Sequence, residues 1–279
     1  FAKQLNSFLM CGNHGDPMIA KDTLDMYEWL RYNNSELYLH MTTNGGGRSD
    51  DWWKNIARVF GDHGRVTFSV DGLEDTNHLY RVNVNWDRVE NSMDVFTQAG
   101  GKGLWVFLIF EHNEHQVEEA RQMALDANFH TFSTVKTSRD VFAPKTGNFV
   151  HSKKSKKNMD NAERVIKCVW DNWGKWYISP EGLVFRCCWT GGHYYDEQQS
   201  RFYYPPKFEN LFNGFHVPLE KILSYDYWTK LQNYLKGYDR SFKLCKSQCG
   251  KIVSSIEKTE ENLSTGQRTF FDSANQLGN

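Results

Sequence analysis

Apolar positions recur along the first half of the chain at two alternating periods. Leu5 to Met10 is a short apolar run, and Leu24, Tyr27 and Leu30 then recur at the spacing of one helix face. Leu37 to Thr43 reads as the next strand, and Trp52, Ile56 and Val59 as the next helix. Val66 to Val70 is a third strand, followed by a helix striped by Trp86, Val89, Met93 and Phe96. Leu104 to Phe110 is apolar throughout and predicts a strand buried on both faces. Val117, Ala120 and Ala124 mark the helix after it, and Thr131 to Val135 a fifth strand. This alternation predicts a parallel sheet with right-handed crossovers, an α/β fold built as an open partial barrel rather than a closed eight-stranded one. Chemistry in such sheets gathers at the carboxyl ends of the strands. Gly12 to Asp16, Thr43 to Gly47, Ser69 to Gly72 and Glu111 to Asn113 fall there.

The second half has a different texture. Residues 144–160, with Lys153, Lys154, Lys156 and Lys157, lack periodicity and read as a solvated linker between a domain over 1–143 and a smaller one over 161–256. Trp176 to Ser179 and Leu183 to Arg186 predict a hairpin turning at Pro180-Glu181-Gly182. Leu219, Ile222 and Leu223, then Trp228, Leu231 and Leu235, predict one or two helices. The aromatic stretch from Trp189 to Pro206 suits either a pocket wall or packing over the small domain. From Glu257 to the end the composition is polar, and a frayed tail is expected.

Composition narrows the function classes. Thirty-three basic and 34 acidic side chains leave a formal charge of -1, so no overall field attracts nucleic acid or a membrane surface. No apolar run approaches the roughly 20 residues that cross a bilayer, and no secretory signal opens the chain. A cytoplasmic setting is expected, where thiols stay reduced and six cysteines argue for metal before disulfides. The chain opens at Phe1 inside a strand-like run without an initiating Met, so an upstream segment is expected.

Four cysteines form a frame: Cys168, thirteen residues, Gly182, four residues, Cys187, then Cys245-Lys-Ser-Gln-Cys249. Soft thiolates in two separated pairs suit a tetrahedral sulfur site, either an iron-sulfur cluster or zinc. Cys188 is the alternative to Cys187, because neighbours on a strand face opposite ways. Cys11 reads as a packed thiol. His112 and His115 flank a helix start, where capping or exposure competes with a metal pair.

Taken together, these motifs resemble the radical S-adenosylmethionine (radical SAM) superfamily, in the form carrying a SPASM or Twitch auxiliary-cluster domain, over roughly residues 5–250. Cys11-Gly12-Asn13-His14-Gly15-Asp16-Pro17 takes the place of the family's Gly-Gly-Glu-Pro motif, with Asp for Glu and Asn13-His14 padding the turn. The resemblance implies that Gly12, Asn13, Gly15, Asp16 and Pro17 hold the amino group of S-adenosylmethionine. Carbonyls and a carboxylate are chemically apt for an ammonium. It also implies cofactor contacts at Thr43, Asn44, Ser69, Asp71, Arg81 and Asn113, although Asp71 and Arg81 equally suit a cap and ion pair. The cysteine frame resembles a Twitch-like domain in which Cys168, Cys187, Cys245 and Cys249 hold one auxiliary [4Fe-4S] cluster.

The implied fold is a partial (β/α)6-type barrel lacking its first unit, followed by a small cysteine-rich α+β domain. The family's Cys-x3-Cys-x2-Cys loop is absent, since Cys11 is the only cysteine before Cys168. A second [4Fe-4S] cluster is therefore expected on an upstream segment, and these residues alone are expected to be inactive. The intact protein would generate a 5'-deoxyadenosyl radical that abstracts hydrogen from a peptide or small-molecule substrate, with electrons from a reductase, flavodoxin or ferredoxin. The alternative is a non-catalytic iron-sulfur or zinc-binding electron-transfer or scaffold protein.

Overall fold

Every strand and helix read from the first half of the sequence forms. The computed structural model describes residues 2–12, 14–136, 165–166, 174–195, 204, 207–236, 250–251 and 256–272. Five strands, β1 (Ser7–Met10), β2 (Tyr38–Thr43), β3 (Gly64–Ser69), β4 (Gly103–Ile109) and β5 (Thr131–Lys136), lie side by side in chain order and pair in parallel. Between them run α1 (Thr23–Asn33), α2 (Asp50–Phe60), the short α3 (Asn77–Tyr80), α4 (Trp86–Gln98) and α5 (Val117–Asp126).

Sequential strand order with crossovers of one hand brings the helices to one face of the sheet. One core joins Tyr27 and Leu30 of α1, Trp53 and Phe60 of α2, Met93 and Phe96 of α4, and Ala120 and Ala124 of α5 to Leu39, Met41, Phe68, Trp105, Phe107 and Phe132 of the strands. Phe68 sits at its centre, 5.4 Å from the Trp53 ring and 5.6 Å from that of Phe96. Truncating it to Ala would cost about 3–5 kcal/mol.

The opposite face is chemically different. Side chains alternate along a strand, and the register puts His40, Thr42, Arg65, Thr67, Ser69 and Ser133 there beside Leu104, Val106 and Leu108. This corrects the expectation for β4: Leu104, Trp105 and Phe107 are buried, whereas Val106 and Leu108 are only half-buried, because the long helices all pack against the other side.

Two-residue ladders belong to a second compact unit, in which β6 (Val165–Ile166) pairs with β9 (Gly250–Lys251) and β7 (Tyr177–Ile178) with β8 (Val184–Phe185). The β7–β8 pair is the hairpin expected around Pro180-Glu181-Gly182. Helices Leu219–Leu223 and Asp226–Lys236 cover it through Ile222, Trp228 and Leu231. Of the aromatic stretch, Tyr194 and Tyr204 pack on Phe185 and Phe208, so these rings build a core. Phe202 and Tyr203 lie outside the described residues, as does the lysine-rich linker.

The polar end is a second correction. Strands β10 (Ile256–Asn262) and β11 (Arg268–Asp272) form an antiparallel hairpin that extends the sheet from β5, completing seven strands in the order β1-β2-β3-β4-β5-β10-β11. Polar composition concealed it because its anchors are ionic: Glu261, 8% exposed, takes Arg121 of α5 at 3.2 Å and Arg268 at 2.9 Å. The turn is held by Asn262, whose Oδ1 accepts from the backbone N–H groups of Ser264 and Thr265 at 3.0 and 3.2 Å.

Candidate functional site

Three loops meet at the carboxyl ends of β1, β2 and β3. After β1 the chain turns through Gly12 and Gly15, both exposed and at positive φ, into Asp16. Asp16 Oδ1 accepts from Met18 N at 3.1 Å, capping a turn of 3-10 helix, while Oδ2 accepts from Asn44 N at 2.7 Å. The carboxylate read as an ammonium acceptor thus braces its own loop with one oxygen and ties it to the second loop with the other, and each oxygen retains one further lone pair. Asn13 lies outside the described residues.

The Thr43 to Gly47 loop is stitched from within. Thr43 Oγ1 accepts from Gly45 N at 3.1 Å and Asn44 Oδ1 from Gly46 N at 2.8 Å. At Gly46 a side chain would meet Val84 Cγ1 at 2.9 Å, so the loop packs too closely for a Cβ. Arg48, at φ 73°, donates to the carbonyls of Met18 and Ala20 and lies over the Trp52 ring. Side chains on both loops therefore fix their spacing.

After β3, Asp71 is a buried hub with a side-chain exposure of 0%. Its Oδ2 receives Arg81 Nε at 2.7 Å and Nη2 at 2.5 Å, and its Oδ1 receives Leu108 N at 2.7 Å. Asn113 donates from Nδ2 to the carbonyls of Asp71 at 2.8 Å and Leu108 at 2.9 Å, and accepts from Phe110 N at 2.7 Å. Both Nδ2 protons of Asn113 are thereby committed to the loops. Gly72, at φ 149°, leaves space that a Cβ would take from Thr76 Oγ1. Asn77 and Gln116, which sequence reasoning missed, complete the network: Asn77 Oδ1 accepts from Asp71 N at 3.0 Å, and Gln116 Nε2 donates to Asp75 Oδ1 at 2.6 Å. The contacts of Gln116 bridge more than forty residues, a range at which no local pattern signals a partner. Ser69 stands half-buried at the end of β3 and forms no side-chain hydrogen bond among the described residues. The Arg81 guanidinium is one-quarter exposed and lies over the Tyr80 ring. Ser69 and Arg81 keep polar groups available at this edge, whereas Asp71 and Asn113 brace it.

Of the sulfur frame, Cys187 and Cys188 are described; Cys168, Cys245 and Cys249 lie outside the described residues. Cys187 follows β8, and its sulfur accepts from Thr190 N at 3.4 Å. The Thr190 hydroxyl closes the turn by donating to Cys187 O at 2.8 Å and accepting from Cys187 N at 3.3 Å. Burial pushes the Cys187 thiol up, and the Thr190 contacts oppose that shift. A half-buried sulfur already serving as acceptor fits the donor chemistry of a cluster or zinc thiolate. Among the described residues no group of three His, Cys, Asp or Glu side chains gathers to hold a metal, the His112 and His115 pair included. His112 instead stacks on Phe110 at 5.2 Å, and burial lowers its pKa, with His115 adding to the effect.

No family model and no curated protein matches the chain. Solved structures similar to it include SuiB of Streptococcus suis, at 14% identity over 76% of this chain and 56% of that one, with a TM-score of 0.48. SuiB bound to S-adenosylmethionine is 16% identical over 48% of this chain and 31% of that one, with a TM-score of 0.40. Native anSMEcpe with bound AdoMet is 16% identical over 51% and 41%, with a TM-score of 0.39. The matched part of the chain spans less than two thirds of each of these proteins, and likeness at this level decides nothing about function.

Proposed function

We propose that this chain supplies the S-adenosylmethionine-binding sheet and an auxiliary-cluster domain of a radical SAM enzyme. The observation that carries the reading is the Asp16 to Asn44 bond, which brings the loop resembling the Gly-Gly-Glu-Pro motif against Thr43-Asn44 at the carboxyl edge of a parallel sheet. Family motifs in the expected order support it. When bound, S-adenosylmethionine with its [4Fe-4S] cluster supplies a carbon radical for hydrogen abstraction from substrate. That cluster would be held by residues outside this sequence, because the three-cysteine loop is not in it.

This chain's own residues bind and orient. Carbonyls of the Gly12 to Pro17 turn and the remaining lone pairs of Asp16 would accept the amino group of the cofactor. Ser69 and Asn44 would bond its ribose hydroxyls, and Arg81, held by Asp71, would face its carboxylate. Asn113 acts one step back, by fixing the loop that carries Asp71. In the second unit, Cys168, Cys187, Cys245 and Cys249 would saturate an auxiliary cluster, leaving no open iron and favouring electron relay over substrate binding. The intact protein would work in the cytoplasm with a flavodoxin, ferredoxin or reductase donor, and its substrate would be a peptide or small molecule.

Colour tests the metal. Anaerobically purified intact protein is expected to be brown and to bleach with dithionite. A colourless protein with zinc and no iron would overturn the auxiliary-cluster assignment.

A further inference from the structure

Arg48 has φ 73°, in the left-handed region that residues bearing a Cβ avoid. A loop that only had to turn here would be served by glycine or asparagine. A residue held against that preference is over-determined by its surroundings, and the contacts of Arg48 show how. Its Nε donates to the Met18 carbonyl and its Nη2 to that of Ala20 at 2.6 Å, while the guanidinium lies 5.3 Å from the centre of the buried Trp52 ring. Just before it, Gly47 O accepts from Trp53 Nε1 at 2.9 Å, and Gly47 passes so near Met18 that a Cβ would stand 3.4 Å from Met18 Cε. Met18 is thus gripped on both sides, its N–H by Asp16 Oδ1 at 3.1 Å and its carbonyl by Arg48. Because Asp16 Oδ2 also receives Asn44 N at 2.7 Å, the two loops close into a ring that runs through Asp16, Met18, Arg48 and Asn44.

We infer that Arg48 is a positioning residue for S-adenosylmethionine: without touching the cofactor, it sets the spacing of Asp16 and Asn44, the groups proposed to hold the amino group and a ribose hydroxyl. The inference rests on the proposed function for what is bound and on the ring of hydrogen bonds for how. Without Arg48 the ring is open, and the Gly45-Gly46-Gly47 run beside it has no side chains of its own to hold its course. Lysine does not replace it, because a single ammonium cannot match a planar fork that bonds two carbonyls and lies over an indole. The guanidinium is reached from outside, since Arg48 also lines a groove with Ser49 and Asp50 at the start of α2 and Asp87 and Arg88 at the start of α4.

The test is calorimetric titration of S-adenosylmethionine into the intact protein, wild type beside Arg48→Asn and Arg48→Lys. Asparagine tolerates left-handed backbone, so Arg48→Asn keeps the turn and removes the fork. It is expected to bind about ten-fold more weakly, the equivalent of one hydrogen bond, with Arg48→Lys in between. Guanidinium chloride at millimolar concentration, against sodium chloride at the same ionic strength, is expected to restore the affinity of Arg48→Asn and to leave the wild type unchanged. Guanidinium weakens folded structure in general, so recovered affinity would come from refilling the site. Wild-type affinity in Arg48→Asn, or a loss that guanidinium does not relieve, would overturn the role. Arg48→Lys, which keeps the charge, carries the same test if Arg48→Asn does not fold: wild-type affinity in it would also overturn the role. A folded wild type that binds no S-adenosylmethionine rejects the functional reading and the positioning role with it, whereas wild-type binding untouched by either substitution rejects the positioning role alone.

Discussion

Asp16 and Asn44, twenty-eight residues apart, are joined by a 2.7 Å hydrogen bond from the Asn44 amide to the Asp16 carboxylate, whose other oxygen caps the turn at Met18. Hydrogen bonds to a charged acceptor contribute about 1.5–3 kcal/mol each. Asp16→Ala is therefore expected to lower stability in urea denaturation by about 2 kcal/mol or more. Asp16→Asn, which keeps one acceptor, should lose less. Equal losses would show that charge and not geometry is at work.

Asp71 and Arg81 give a larger effect. Arg81→Ala leaves a carboxylate with 0% side-chain exposure without its cation, an expected cost of about 3–5 kcal/mol. Asp71→Asn with Arg81→Ala should cost less than the sum of the two single changes, because the members of one network couple. Additive losses in a double-mutant cycle would contradict the hub.

How much of this was legible beforehand depends on the range of the signal. The strands and helices up to Val135 follow from apolar period, since each helix buries one stripe and each strand one face, as Trp53 and Phe68 do. The loops at the carboxyl ends of β1, β2 and β3 were visible because glycine, serine and acidic residues punctuate strand ends. Two features were not visible. Asn77 and Gln116 act across loops with no shared spacing. The β10–β11 hairpin is held by Glu261 with Arg268 across the hairpin and Arg121 of α5, so a sequence that looks solvated is ordered by ion pairs, one of them from elsewhere in the chain.

That hairpin makes its own prediction. Glu261→Ala is expected to speed amide hydrogen exchange across residues 256–272 while leaving β2, β3 and β4 protected, since β5 stands between those strands and β10 in the sheet. Uniformly faster exchange would mean that the hairpin and the parallel strands open together.

Asp94 supplies the pH test. Burial holds its carboxyl above the usual carboxylate range. A carboxyl raised on folding contributes stability that is fully present below its unfolded value and lost as pH rises through the folded one. Its position in the last turns of α4 adds an unfavourable helix dipole. Asp94→Asn should therefore stabilise the protein at pH 7, and the gain should vanish as the pH falls below about 4. A gain independent of pH would point to a cause other than ionisation.

The most direct measurement is calorimetric titration of S-adenosylmethionine into the anaerobically prepared intact protein, wild type beside Ser69→Ala. Saturable binding at one site, weakened about ten-fold by loss of the hydroxyl at the end of β3, is the result expected of one lost hydrogen bond worth about 1.4 kcal/mol. Folded, cluster-loaded protein that takes up no S-adenosylmethionine, or binds it equally well without that hydroxyl, would contradict the placement of the cofactor at this edge.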